Sequence, residues 1–188
     1  MKILDYGCGS GSHARQLNAL GYDILGVDPC ATGAPIRIDK RKLPFRDGIF
    51  DIVLSLSVME HCFEIEDYYR EAARVLKPGG IMWATFPHRW VPYDTHRKKW
   101  FRHWLWPSDG RQFNWKGKLY HIRMARKYFS LVEDGTGARL LAGTSRFNDK
   151  RGHHALRQII DVVVKIRVLR SVISFFSSVD LWAYKLQH

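Results

Sequence analysis

Three glycines at alternating positions, Gly7, Gly9 and Gly11, separate an apolar run from a helical pattern in LDYGCGSGSHARQLNAL, and the next apolar run ends on Asp28. No other feature limits the chain so strongly. A glycine-rich turn straight after a short strand lets backbone approach a ligand closely, at the edge where a parallel sheet binds its ligands. Asp28 lies 21 positions after Gly7, a suitable place to accept hydrogen bonds from ribose hydroxyls. To this point any adenosine-containing cofactor fits.

The surrounding pattern supplies the sheet. KILDY (2–6), YDILGVD (22–28), PIRID (35–39), FDIVLSLS (50–57) and IMWATF (81–86) read as strands. HARQLNAL (13–20) reads as a helix with Ala14, Leu17 and Leu20 on one face, Ser12 as N-cap and Gly21 as its stop. EIEDYYREAARVL (64–76) is helical, with Ile65, Tyr68, Tyr69, Ala72, Val75 and Leu76 on the buried side, and Pro78-Gly79-Gly80 stops it. Strands alternating with helices imply right-handed crossovers, hence an α/β, Rossmann-like doubly wound and mostly parallel sheet. The later part is less regular: IRMARKYFSLVED (122–134) reads as a helix and ARLLAGTSRF (138–147) as a late strand. With no repeat and no linker, the 188 residues read as one domain. It divides into a cofactor half (1–86), an elaborated substrate-side half (87–158) and an amphipathic C-terminal segment (159–188).

Charge separates these parts. Residues 1–87 carry 10 Lys+Arg and 11 Asp+Glu, whereas residues 88–188 carry 20 and 7, so the net charge of +12 arises entirely in the second stretch. Such an excess points to an anionic partner or to a solvated basic surface. The three cysteines, Cys8, Cys30 and Cys62, have no zinc-ligand spacing and no disulfide framework, which suits a reducing, cytoplasmic setting. No signal peptide is visible.

Two details narrow the cofactor. The dinucleotide fingerprint is GxGxxG, whereas the spacing here is GxGxG, with Asp5 two residues before the first glycine. A carboxylate there repels a pyrophosphate and suits an ammonium or sulfonium, which S-adenosyl-L-methionine (SAM) carries. At this point LDYGCGSG resembles the first motif of the class I SAM-dependent methyltransferases, in their type 11 group. The resemblance continues through VDP (27–29), IDKRKLPFRDGIFDIV (38–53), VMEH (58–61) and REAARVLKPGG (70–80).

The resemblance implies the class I methyltransferase fold and a set of contacts. Asp5 and the loop Gly7, Cys8, Gly9 and Gly11 would hold the methionine end. Asp28, with Pro29 beside it, would take the ribose, Asp39 the adenine amino group, and Ser55 and Leu56 the space beside the methyl. Cys8 reads as a small packing residue rather than a nucleophile. One departure matters: the first strand begins at Met1 or Lys2, where family members have covering helices before it. The chain is then naturally minimal, covered by a neighbour, or a fragment.

Methyl transfer needs in-line placement of a nucleophile and sometimes a base for its proton. His61, after the fourth strand, is the base candidate, or else a helix-start histidine that only shapes the pocket. FPHRWVPYDTHRKKWFRHWLWP (86–107) falls in a region that holds five of the seven tryptophans between residues 87 and 120. It loosely resembles a pattern in bacterial type 11 members linked to cell-surface saccharide or lipid pathways. Asp94, His96 and His103 are its candidate substrate or acid–base residues, and His88, His96 and His103 have no metal-type spacing. The acceptor expected is a small molecule or lipid-linked and saccharide-like. The alternatives are an RNA acceptor, since aromatics among Arg and Lys can stack bases, and a SAM-binding protein without turnover.

The tail offers two readings. Drawn as a helix, 159–186 places Ile159, Val163, Ile166, Val172, Phe176 and Val179 on one face, away from Lys165, Arg167 and Arg170. It would lie on an anionic membrane as a peripheral contact, or instead dock on the domain as a helix or a closing strand in VVVKIRV. The docked reading is favoured. Its longest uncharged run, 171–179, is too short to span a bilayer.

Overall fold

The computed structural model describes residues 1–29, 34–38, 42–94, 98–105, 114–142, 165–175 and 177–186. Five strands run parallel: β1 (Lys2–Tyr6), β2 (Asp23–Asp28), β3 (Ile36–Arg37), β4 (Phe50–Leu56) and β5 (Leu76–Phe86). Two more come from the second half, β8 (Leu131–Asp134) and β9 (Val179–Tyr184), with β9 antiparallel to both β5 and β8. The sheet order is β3-β2-β1-β4-β5-β9-β8. A small ribbon, β6 (Tyr93–Asp94) with β7 (Lys99–Trp100), stands apart. The helices are α1 (Ser12–Ala19), α2 (Ile65–Val75), α3 (Arg102–Leu105), α4 (Lys118–Ala125), α5 (Thr136–Leu141) and α6 (Arg167–Phe175).

The sheet is unequally covered. On one face Leu4, Val53, Met82 and Ala183 pack with Tyr68, Tyr69 and Ala72 of α2 and with Met124 and Ala125 of α4, all buried in one core. On the other, Ile3, Ile24 and Leu54 meet Ala14 of α1 in a much smaller cluster, with Leu17, Ile52 and Trp83 only partly buried beside it. The alternation along β5 records the difference: Met82, Ala84 and Phe86 are buried, whereas Ile81, Trp83 and Thr85 are intermediate.

Long polar side chains lock the connections. Arg74 of α2 donates to the carbonyls of Leu43 (3.0 Å) and Phe45 (2.7 Å), and Glu71 accepts from the Leu43 amide at 2.9 Å. The LPF stretch is thereby fixed against α2. Lys185, just past β9, donates to the carbonyls of Ala73 (2.8 Å) and Leu76 (2.7 Å). A cation there satisfies carbonyls that the end of a helix leaves open.

Several sequence expectations are corrected. Strand β5 does not begin after Pro78-Gly79-Gly80 but runs through it from Leu76, the ladder with β4 absorbing the extra residues in a register shift between Phe50 and Ile52. Gly11, at φ 76°, caps α1 rather than Ser12, and Leu20 is 73% exposed rather than packed. The helix expected over 122–134 splits into the end of α4 and strand β8, because Leu131–Asp134 pair with β9. The strand expected at 138–147 begins as helix α5, while 143–147 lie outside the described residues. Asp134 starts that helix by accepting from the Thr136 amide at 3.0 Å and its hydroxyl at 2.5 Å. The described tail is not one helix: α6 ends at Phe175 and Val179 opens β9, so a closing strand forms in VDLWAY, while 162–164 of VVVKIRV lie outside the described residues.

Candidate functional site

Strands β1, β2 and β4 end at one edge, and a cavity of about 420 Å³ opens there. Asp5, Gly7, Cys8, Gly9, Asp28, Leu56 and His61 line it, together with Ser10, Ser12, His13 and Ser57. Residues separated by more than fifty positions thus meet because β1 lies between β2 and β4.

The loop is shaped by backbone. The amides of Gly7 and Cys8 both donate to the Val27 carbonyl, at 2.8 and 3.0 Å, which folds the turn back over β2. Gly7 sits at φ 89°, and a Cβ there would lie 2.4 Å from Val58 Cγ2. Gly9, at φ 55°, has nothing within 4 Å of where its Cβ would be, so the cavity wall is bare backbone at that point. Its amide donates to Asp28 Oδ2 at 3.0 Å, joining the loop to the end of β2.

Asp5 is the exceptional group. It is 2% exposed, and its Oδ2 accepts no hydrogen bond from any described residue. Burial raises its carboxyl above the ordinary carboxylate range, His13 opposes the shift and Asp28 adds to it. An anionic oxygen buried without a donor is costly unless a ligand supplies one. Cys8 behaves as packing: Gly26 leaves room for its sulfur, and burial, with Asp5 and Asp28, pushes the thiol up to about 11. At neutral pH it stays a thiol and is no nucleophile.

The wall after β4 is equally defined. Ser57 adopts a left-handed φ of 58° and donates its amide to the Thr85 carbonyl at 2.7 Å. Such a conformation costs a non-glycine residue about 1–3 kcal/mol and gathers at functional sites. The 3-10 turn Met59–His61 follows, with Met59 fully buried and His61 exposed at the rim. Asn114 pins this turn, its amide donating to the Glu60 carbonyl (2.7 Å) and its Nδ2 to that of Cys62 (3.1 Å).

The other expected residues lie elsewhere. Gly11 is at the α1 cap, where a Cβ would meet Pro35 at 2.9 Å, and Pro29 is half-buried without lining the cavity. Ser55 is fully buried, its hydroxyl 3.0 Å from that of Tyr68, which itself donates to the Tyr6 carbonyl at 2.8 Å. It faces the packed core, not the ligand space. Asp94 is completely buried in β6, away from the cavity. Asp39, His96 and the side chain of His103 lie outside the described residues.

Sequence reading missed His13, Ser57 and Asn114. His13 opens the helix read after the glycine loop, and Ser57 is the last residue of the fourth strand as read. Asn114 had no local signal. A second cavity of about 820 Å³ shares Leu56 and lies on the thinly covered sheet face. Trp83 and Trp182 stack there at 5.3 Å and 16°, and Trp83 Nε1 donates to Asp180 at 2.6 Å.

Comparison with known proteins agrees with this architecture. Residues 4–84 match the family model described as a methyltransferase domain. The ubiquinone biosynthesis O-methyltransferases of Rhodopseudomonas palustris (strain HaA2) and Azorhizobium caulinodans are each 32% identical, over 52% of this chain and 51% of theirs. The chain therefore spans about half the length of the curated relatives it matches. Among solved structures, phosphoethanolamine N-methyltransferase 2 of Haemonchus contortus, bound to phosphomonomethylethanolamine and S-adenosylhomocysteine, aligns with a TM-score of 0.61 at 20% identity, covering 100% of this chain and 50% of that one. Geranyl diphosphate C-methyltransferase of Streptomyces coelicolor A3(2) gives 0.61 at 17% identity, covering 98% and 73%. Residues 4–84 therefore match a methyltransferase domain, on a chain with the fold of the class I SAM-dependent methyltransferases.

Proposed function

We propose that the chain is a SAM-dependent methyltransferase, a single domain acting on a small-molecule or lipid-linked, saccharide-like acceptor. The observation that carries the cofactor is Asp5: a buried carboxylate oxygen without a donor, beside bare glycine backbone and Asp28. These residues fit the group, since an ammonium satisfies Asp5 and ribose hydroxyls donate to Asp28. When bound, SAM supplies a methyl on a positively charged sulfur. The protein's own part is to hold the ligand through Asp5, the Gly7–Gly9 backbone and Asp28, and to exclude water with Leu56. At the rim, the His61 imidazole takes the proton of an acceptor hydroxyl. Asp39 remains the adenine-side partner and Asp94 and His96 the acceptor-side groups of this proposal, with Asp94 acting from beneath the surface as a positioning residue.

The acceptor is assigned to the second cavity, which shares Leu56 with the first. Apolar sugar faces pack on flat aromatic surfaces, and the Trp83–Trp182 pair offers one, with Asp180, Arg139 and Glu133 around it for hydroxyls. Relatives named for ubiquinone biosynthesis support oxygen as the acceptor atom. The setting proposed is cytoplasmic with peripheral membrane contact. Among the described residues no helix is long and apolar enough to cross a membrane.

The test is calorimetric titration with S-adenosylhomocysteine, with NADH as comparison and Asp28→Ala as control. Binding of the first ligand alone, lost in the variant, is expected. Equal binding of NADH, or an unaffected variant, would sink the cofactor assignment.

A further inference from the structure

Past the end of β5 the chain builds an aromatic ladder that runs out into solvent. Trp90 packs edge-on to Trp104 at 5.7 Å, Trp104 to Phe101 at 4.8 Å, Phe101 tilts against Trp100 at 5.9 Å, and Trp100 meets Tyr93 across the ribbon at 5.2 Å. The inner end is tied down: Arg89 Nη2 donates to the Trp104 carbonyl, and Trp104 Nε1 to that of Val91, both at 3.3 Å. The outer end is not buried. Trp100 is 67% exposed, Phe101 46% and Leu105 71%, with Lys98 and Lys99 exposed beside them.

Helix α6 makes a second, independent exposure. Val168, Val172 and Phe175 recur at i, i+4 and i+7, the stripe a helix normally turns to its core. Here it faces outward, Val168 being 72% and Val172 52% exposed, while the inner side is fixed by buried Ser174, whose carbonyl and hydroxyl accept from Lys118. Arg167 at the start of that helix and Lys165 two residues before it are exposed. The stripe reaches the base of the ladder: the Phe175 ring lies 6.1 Å from that of buried His88, next in sequence to Arg89 and Trp90.

We propose that the Lys98–Leu105 tip and the outer stripe of α6 form one docking face for an anionic lipid bilayer. Large apolar side chains gathered at a surface mark an interaction site. Tryptophan suits the headgroup level, where its apolar body and polar N–H are both satisfied, and lysines beside it draw it to anionic lipid. The basic surplus of residues 88–188 selects a negative surface. A second copy docking on this face would bring one positive face, with Lys98, Lys99, Lys165 and Arg167, onto another, which like charge opposes. The ladder starts where β5 ends, on the edge where the cofactor cavity opens, so docking brings a lipid-linked acceptor to that edge. The inference deepens the lipid-linked reading of the acceptor, but lipid binding itself needs no cofactor.

The test is co-sedimentation of the full chain with phosphatidylglycerol/phosphatidylcholine vesicles, against phosphatidylcholine alone. Binding to the mixed vesicles only is expected. Lys98→Gln with Lys99→Gln should weaken it about 30-fold, at about fivefold for each charge near the surface. Trp100→Ser with Phe101→Ser, and separately Val172→Asp, should weaken it about tenfold or more. S-adenosylhomocysteine titration of the same variants should be unchanged, which scores the cofactor site separately. No vesicle binding, or binding that every variant retains, overturns the proposal. So does a dimer that these variants dissociate, or salt-sensitive poly(U) binding that they abolish while vesicles are ignored.

Discussion

The two halves of the molecule make structure by different means. At the cavity edge of residues 1–86 the geometry belongs to the backbone: buried parallel strands end there, and glycine turns set what stands beside them. In the second half it belongs to side chains that tie distant elements together. Lys118 of α4 joins Asp134 of β8 at 2.5 Å and Ser174 of α6, and Arg139 of α5 donates to the Ser178 carbonyl ahead of β9. The difference teaches where each half is vulnerable: the first to a change of conformation, the second to the loss of one charged group.

The largest effect should therefore follow from Lys118→Met. The Lys118 side chain is 8% exposed and that of Asp134 33%, so the pair is half-buried, and losing its charge-assisted bond together with the bonds to Ser174 should cost about 3 kcal/mol. Burial raises the Asp134 carboxyl, yet hydrogen bonds from Lys118 and Thr136 outweigh it and hold it below the usual range. Its stabilisation is thus present above the unfolded carboxylate range and lost as pH falls through the lower folded value. Hydrogen exchange should show α4, α6, β8 and β9 opening first in the variant, with β1 and β2 still protected. Uniform loss across both halves would erase the contrast.

Within residues 1–86, two glycines of one loop should separate fold from ligand. Gly7→Ala places Cβ 2.4 Å from Val58 at a positive φ and should cost about 3 kcal/mol. Gly9→Ala meets open space and should cost about 1 kcal/mol, with S-adenosylhomocysteine affinity lost nonetheless. Equal melting temperatures for the two variants would show that the loop is not held as described.

The same contrast explains what the sequence discloses. Strands β1, β2 and β4 are read correctly because strands buried on both faces appear as continuous apolar runs bounded by turns. Strand β8 has one buried residue, Val132, so no alternation announces it; only its pairing with β9 makes it a strand. Strand β9 was hidden inside an apparent helical stripe because Val172 and Val179 fit one face on paper. Among the residues that line the first cavity, Asp5, Gly7, Gly9, Asp28 and Leu56 are legible in the sequence since a local motif carries each. Ser55, placed beside the methyl by the resemblance, is fully buried against Tyr68, while its neighbours Leu56 and Ser57 line the cavity. Asn114 acts through a contact more than fifty residues away in sequence, which no local pattern encodes.

A buried histidine should make the second half sensitive to mild acid. His121 is 1% exposed and 3.3 Å from the Tyr69 hydroxyl; burial, then His88 and Lys116, push it down to about 3. Unfolded, it would protonate near 6.5. Its stabilisation is complete above that value and declines as pH falls toward the folded one, by up to about 1.4 kcal/mol per unit. From pH 7.5 to 5 this amounts to about 2 kcal/mol. Urea midpoints of the protein and of His121→Gln, compared at both pH values, should converge at pH 5. A parallel decline would place the acid sensitivity elsewhere.

The smallest change is the most informative about the first half. Asp5 has the opposite sign to Asp134: its folded carboxyl titrates above the unfolded one, so it opposes folding wherever it is ionised in both states. That cost is fully present at neutral pH and recedes as acid protonates the folded protein first. Asp5→Asn should therefore raise stability at pH 7 by about 1 kcal/mol, since a buried charge without a donor is removed. It should also lower S-adenosylhomocysteine affinity about 10–100-fold, as a charge-assisted hydrogen bond to the ligand ammonium is lost. In the unaltered protein that affinity should weaken with falling pH sooner than an ordinary carboxylate would cause. Stability and binding moving in opposite directions would identify Asp5 as a group kept unsatisfied for its ligand. If both fall together, Asp5 supports the fold instead, and the backbone loop alone must account for recognition.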